Sequence, residues 1–241
     1  LELAQLAERL AGEEWIFRGE HSVENALRPG AGRLSAEIAR LRKAPFTQEE
    51  ERAALARFKD DALLYLRHTP PREHDLEWLG IAQHHGMQTR LLDWTESLLI
   101  AAFFAVESGG ALGPGVIYGV HGLPVVGPDA DPFSLKQVSV YRPSHLTPRI
   151  APQWSVFTVH PHPGEDFRRS GKVSHWRIPG EENCWRIKLI LDSCGINYAS
   201  IYPDLTGLAR HIYWRYKWGM RQTKLHRHPR ATGGGRSSRS R

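Results

Sequence analysis

The chain has 241 residues, 41% of them hydrophobic, with eight Trp, eight Phe and seven Tyr, enough to fill one sizeable core. Its net charge of +6 is uneven: residues 221–241 hold Arg221, Lys224, Arg227, Arg230, Arg236, Arg239 and Arg241 and no carboxylate, so +6 less +7 leaves −1 for the rest. A basic folded body is thereby excluded, and so is a membrane span, because no apolar run is long enough.

In chain order, Leu1 to Leu10 is an amphipathic stretch interrupted by Glu2, Glu8 and Arg9, unlike a secretory leader. Glu14 to Gly19 alternates Trp15 and Phe17 with Ile16 and Arg18, the pattern of a strand that ends at a glycine. Ser22 to Gly32 reads as loop, and Leu34, Ile38 and Leu41 mark a short helix. Thr47 and Glu50 have capping-box spacing ahead of a helical stripe of Leu55, Phe58, Ala62 and Leu66. Pro70 and Pro71 break the chain before a helix from Asp75 to Gln83, which Gly86 can end in a left-handed cap. Leu98 to Val106 is apolar on every face, as suits a helix enclosed in a core.

Strands are expected at Val116–Val120, Ser155–Val159 and Trp185–Leu191, the last because Trp185, Ile187, Leu189 and Leu191 alternate. A final helix begins near Asp204 and runs through Leu205, Leu208, Ile212 and Trp214. One strand, then helices, then mostly strands describes an α+β single domain, with a helical N-terminal half around an early strand and a mostly β C-terminal half. The expected boundaries are an N-terminal helical segment over 1–13, the domain over 14–220 and a basic disordered tail over 221–241. The tail is either a solvated end or an arm that contacts nucleic-acid phosphates.

Chemistry concentrates in Gln83 to Thr95, a polar run between the two apolar segments, read here as a loop held by rigid elements. Arg18 at a strand end offers a planar guanidinium for a phosphate, with Gly19 letting backbone approach a ligand; the competing reading pairs Arg18 with a carboxylate such as Asp93. Arg90 and Asp93, three apart, can pair with each other. Trp94 is either core or a stacking surface, and Gln83 can read an amide or a base edge. His84 and His85 point in different directions and do not share a metal; one can serve as general base or hydrogen-bond donor, or both are structural. No metal site is expected. Cys184 and Cys194 lack the spacing of a zinc knuckle or redox pair, which suits a reduced cytoplasm. Neither a Gly-x-Gly-x-x-Gly nor a P-loop is present.

Trp15-Ile-Phe-Arg-Gly19 together with Gln83 to Thr95 resembles the FRG-domain family, named for its Phe-Arg-Gly motif. Arg149 to Val159 and Tyr202 to Ala209 look like the family's two later motifs, so the resemblance runs over roughly residues 14–216. A more distant resemblance is to toxin-type ADP-ribosyltransferases, which carry an Arg on an early core strand and a Ser-Thr-Ser segment leading into a helix with an Ala-x-x-Phe-Ala pattern. Arg18-Gly19 resembles the first of these, and Leu92 to Thr95 followed by Ala101 to Ala105 resembles the second. Gln153 stands where that group has its catalytic Glu.

The second resemblance implies an ADP-ribosyltransferase-like fold and NAD as substrate. It implies Arg18 and Gly19 for cofactor binding and Thr95 and Gln153 for catalysis; side-chain chemistry adds Gln83, His84, Arg90 and Trp94 as candidate cofactor contacts and Asp93 and His85 as candidate catalytic groups. It also implies action on nucleic acid as a toxin or phage-defence effector, with an antitoxin or regulatory protein as a further partner. Because Gln153 is uncharged, a non-catalytic nucleotide or nucleic-acid recognition domain using the same pocket is the alternative. A hydrolase working through His84 or His85 with Asp93 is the third reading.

Overall fold

The computed structural model describes residues 3–33, 44–108, 114–144 and 150–218. Leu3–Leu10 forms α1, whose Leu6 packs into the core, and Ile16–Glu20 forms the first strand, β1. A loop with one 3-10 turn at Gly30–Gly32 follows. Gln48–Ala62 is α2, opened by the expected capping box: the Thr47 hydroxyl accepts from Glu50 N, and the Glu50 carboxylate accepts from Thr47 N. Asp75–His84 is α3, and past its end Gly86 takes φ +96°, the left-handed backbone a glycine allows without a Cβ clash. Leu91–Thr95 is β2 and Leu98–Val106 is α4.

The C-terminal half supplies β3 (Gly115–Val120), β4 (Val125–Val126), β5 (Ser139–Tyr141), the short α5 (Ile150–Gln153), β6 (Ser155–Val159) and β7 (Ser174–Ile178). Three helices close the described chain: α6 (Gly180–Ser193), α7 (Tyr198–Ile201) and α8 (Leu205–Lys217), the last capped by Asp204 through its bond from Gly207 N. The strands form one mixed sheet in the order β4-β5-β6-β2-β1-β3-β7, antiparallel except between β4 and β5. The fold is α+β, as expected.

Helix α4 lies on one face of the sheet at close range. A Cβ on Gly19 would come 1.9 Å from the Ala101 carbonyl oxygen, and one on Gly115 2.6 Å from that of Ala105. Glycine at both positions lets the helix backbone sit directly on β1 and β3. Phe17, Phe103 and Ile117 are buried there with the inner sides of α6, α7 and α8. On the opposite face Ile16, Leu92, Trp94 and Val156 pack under the segment that follows β1 and the one around Phe167.

Three expectations need correction. Gln83 to Thr95 is not a loop throughout: Gln83 and His84 complete α3, and β2 begins at Leu91, because Leu91, Leu92 and Trp94 are core residues while only Asp93 is exposed. Trp185 to Leu191 is helix rather than strand. Its buried positions are Cys184, Ile187, Lys188 and Leu191, a helical stripe, and Leu189 faces out. In α8 the buried face is Gly207, His211 and Trp214, so Leu205 and Ile212 are exposed. The helix expected around Leu34 to Leu41, Arg149 and the tail over 221–241 lie outside the described residues.

Candidate active site

Between β1 and β2 the sheet comes apart. β1 is in register with β3 from Ile16–Val120 to Glu20–Val116, and β2 with β6 from Leu91–Val159 to Thr95–Ser155. The two halves meet at a single pair, Phe17–Thr95. Beyond that pair a cleft of about 310 Å³ opens, bordered by Arg18, Glu20, Asp93, Thr95, Glu107 and Gln153. Strands that diverge leave main-chain groups without ladder partners, and Arg18 answers one of them: its Nη1 donates to the Asp93 carbonyl at 2.7 Å.

The rest of the guanidinium faces Glu20. Nε donates to Glu20 Oε1 at 2.8 Å and Nη2 lies 2.6 Å from the same oxygen, while Asn25 donates to Oε2 at 3.0 Å. Burial pushes the Glu20 carboxyl up, but the Arg18 charge and the hydrogen bonds from Asn25 and Arg18 outweigh it and hold Glu20 below the usual carboxylate range. The Arg18–Asp93 ion pair weighed from the sequence is the looser contact, 3.9 Å between Nη1 and Oδ2. A second cation stands nearby. Arg33 donates to the Arg28 carbonyl at 2.6 Å, and burial followed by the Arg18 charge lowers its pKa against the opposing pull of Glu20 and Asp93. Arg33 is not among the residues that border the cleft, but its charge and that of Arg18 act on each other, and such a pair suits phosphate oxygens.

Asp93 is the open carboxylate, with 62% of its side chain exposed. It is oriented by a short relay: Gln83 Nε2 donates to Asp93 Oδ1 at 2.9 Å, Thr89 Oγ1 donates to Gln83 Oε1, and Leu91 N donates to Thr89 Oγ1 at 3.1 Å. Gln83 thus borders no ligand space and acts on the site through Asp93. The Thr95 hydroxyl accepts from Ser97 N at 3.1 Å, starting the turn into α4, and keeps its own proton to donate. Gln153 donates through Nε2 to the Ile201 carbonyl at 3.1 Å, which fixes the amide beside the cleft.

Arg18, Gly19, Asp93, Trp94, Thr95 and Gln153 therefore border one cleft, and four expected members do not. His84 and His85 stack edge to face at the end of α3, away from the lining. Gln83 is the relay just described. Arg90 is a correction: it is buried, its Nε and Nη2 donate to both Glu51 oxygens at 3.0 Å, and its guanidinium covers the Phe133 ring. It braces α2 against β2 and neither pairs with Asp93 nor reaches a ligand. Trp94 borders the cleft only from within the core. Its indole donates to Thr158 Oγ1 at 2.8 Å and meets Phe167 edge-on, leaving no ring face for a base. Gly19 serves the packing of α4 rather than the approach of a ligand.

Sequence reasoning missed Glu20 and Glu107 on the cleft, and Arg33 and Trp154 outside its lining. Glu107 follows α4; its carboxylate takes Arg210 Nη2 at 2.9 Å, and its carbonyl takes Lys188 Nζ and the Tyr198 hydroxyl at 2.7 and 2.9 Å. Trp154, between Gln153 and Ser155, has φ +48° with its side chain exposed, an uncommon backbone for an aromatic residue. Among the described residues no group of three or more His, Cys, Asp or Glu is placed to hold a metal, and no helix is long and apolar enough to cross a membrane.

Neither the curated proteins nor the solved structures give a match to this chain. A family model does match, over residues 13–111, a span that includes Arg18, Asp93, Thr95 and all of α4 and ends before Gln153 and Tyr202. That model is the FRG domain, and the chain carries an FRG domain over this span.

Proposed function

We propose that the cleft between β1 and β2 binds NAD and that the domain is an ADP-ribosyltransferase-like enzyme. The observation that carries this reading is the adjacency of three elements that the resemblance named separately. The strand of Arg18, the strand of Thr95 and the strand that follows Gln153 are neighbours in the sheet, in the order β6-β2-β1, and the sheet is open between the first two named. Arg18 and Arg33 take the pyrophosphate, and Thr95 donates its hydroxyl proton to the ribose.

The chemistry asked of the site is rupture of the bond between ribose C1′ and the nicotinamide nitrogen. The bonding pair leaves with nicotinamide, positive charge develops on the ribose, and an acceptor nucleophile then forms the new bond to C1′. A carboxylate beside the ribose stabilises that charge. Gln153 cannot supply it. Asp93 can, because it is exposed at the cleft and held by Gln83 without being consumed by a close ion pair. In this reading the acceptor is nucleic acid, and the biological setting is a toxin or phage-defence effector.

A specific observation favours a second reading, a recognition domain that binds a nucleotide without turnover: the Gln153 amide is tied to the Ile201 carbonyl. One experiment separates the two. Protein is incubated with NAD labelled in the nicotinamide ring, and both bound label and released nicotinamide are measured for wild type, Arg18→Lys and Asp93→Asn. The enzyme reading expects binding to weaken in Arg18→Lys, and release to vanish in Asp93→Asn while binding persists. Binding without release in wild type selects the recognition domain, and absence of binding overturns both.

A further inference from the structure

A second cavity, of about 680 Å³, lies between α6 and α8, two helices that follow the FRG span, with Ser108 of that span on its wall. Its walls are aromatic. Trp214 and Trp218 are four apart on α8 and its end, and both meet Trp185 of α6, with ring centroids 5.7 and 4.3 Å apart. Tyr213 and Trp218 are more than half exposed there, well beyond what a solvated helix face usually presents. The segment from Tyr213 to Trp218, Tyr-Trp-Arg-Tyr-Lys-Trp, interleaves four rings with two cations.

Two polar groups on the cavity wall lack partners. Trp214 is 8% exposed and its Nε1 is buried without an acceptor, and Ser108 Oγ is likewise unpaired. A buried donor left unmade carries its desolvation penalty uncompensated, so an acceptor brought in by a ligand would recover what the chain leaves unmet. The one buried charge is Lys188. It donates to the Glu107 carbonyl and the Tyr198 hydroxyl, which engages two of its three protons. Burial lowers this ammonium to about 8 against the pull of the nearby Glu107 carboxylate, and a further anion would offset more of that cost. Glu181 and Glu182 also border the cavity, but at its exposed rim, on the first turn of α6. The interior is therefore aromatic and cationic, and it presents donors.

We infer that the cavity between α6 and α8 binds a nucleotide unit, its base against Trp218 and Tyr213 and its phosphate at Lys188 and Lys217. Rings supply a stacking surface that every base can use, and the cations supply the phosphate contact. The next residues of the chain carry seven further positive charges over 221–241, which favours a nucleotide within a single strand over a free one. The site does not depend on what the Arg18 cleft binds.

The test is fluorescence anisotropy of the full chain with a labelled oligothymidylate over a series of salt concentrations, with AMP titrated separately. Trp218→Ala and Lys217→Ala alter exposed side chains, so both variants should melt as wild type does. Trp218→Ala should weaken strand binding about tenfold, Lys217→Ala should reduce its salt dependence, and Arg18→Ala should leave it unchanged. AMP binding as tightly as the strand would mark the free nucleotide as the source, within the same chemistry. The inference is overturned if neither probe binds, if the Trp218→Ala and Lys217→Ala variants bind as wild type does, or if polyglutamate competes as well as the strand, since charge alone would then account for binding.

Discussion

Replacing Arg90 by Met tests whether the polar run before β2 is chemistry or scaffold. Arg90 and Glu51 are 1% and 5% exposed, joined by two 3.0 Å hydrogen bonds, and the guanidinium also donates to the Pro132 carbonyl at 3.3 Å. Removing one partner of such a pair costs about 3–5 kcal/mol, because the other charge is left buried. Glu51 can escape part of this cost by protonating, since burial already holds its carboxyl above the usual range against the pull of Arg90. The expected loss is therefore at the lower end, about 3 kcal/mol, or a fall in Tm of about 6–12 °C for a chain this size. Met keeps most of the volume over Phe133, so the cost reports the charge rather than a cavity. The double variant Arg90→Met with Glu51→Leu should recover to within about 1 kcal/mol of wild type, because neither charge remains. Urea unfolding followed by far-UV circular dichroism and Trp fluorescence gives both numbers. A single variant within 1 kcal/mol of wild type refutes the reasoning, as does a double variant no better than the single. A folded Arg90→Met protein that has lost NAD binding would return Arg90 to the site.

Gly19→Ala should destabilise by about 3 kcal/mol or more, because its Cβ would meet main-chain atoms of α4 that cannot rotate away; an unchanged urea midpoint would show that α4 does not rest on β1. His160, 2% exposed, is held neutral by burial with its pKa lowered to about 4 from 6.5. The unfolded chain therefore takes up a proton first as pH falls. Stability should drop by about 3 kcal/mol between pH 6.5 and 4, and His160→Gln should abolish that component in urea midpoints measured across the range.

Much of the fold could be read from the chain because local signals and tertiary packing agreed. The Thr47–Glu50 box, the Asp204 cap, the Gly86 stop and the uniformly apolar Leu98 to Val106 each specify an element by chemistry within a few residues. The misreading at Trp185 to Leu191 has a physical cause. Counting Lys188 as solvent-facing leaves an alternation of Trp185, Ile187, Leu189 and Leu191, yet Lys188 is buried because the Glu107 carbonyl and Tyr198 hydroxyl receive its ammonium. Once it counts as an inward residue, Cys184, Ile187, Lys188 and Leu191 fall on one helical face. The site was legible only in part for a similar reason. Arg18, Asp93 and Thr95 stand in recognisable runs, whereas Glu20, Arg33 and Glu107 acquire their place from the parting of β1 and β2 and from the loop that crosses near it, which no local pattern encodes.

The three residues of Phe-Arg-Gly answer to three different demands, and the strand period assigns them. Phe17 and Gly19 share the face under α4, the first filling the core and the second making room for the helix backbone. Arg18, between them, turns to the other face, where the neighbouring strand has moved away and the Asp93 carbonyl needs a donor. Only one of the three is thus available to a ligand, and it is not idle without one. A phosphate must draw donors from a guanidinium already shared between Glu20 and a main-chain carbonyl, so its net gain is smaller than that of a free arginine. The neighbouring Arg33 makes this exchange favourable. The Arg18 charge lowers the Arg33 pKa, so in the proposed reading an incoming dianion relieves repulsion between the two cations as it displaces hydrogen bonds. The motif is then a packing element that holds one charged side chain at the mouth of an opened sheet.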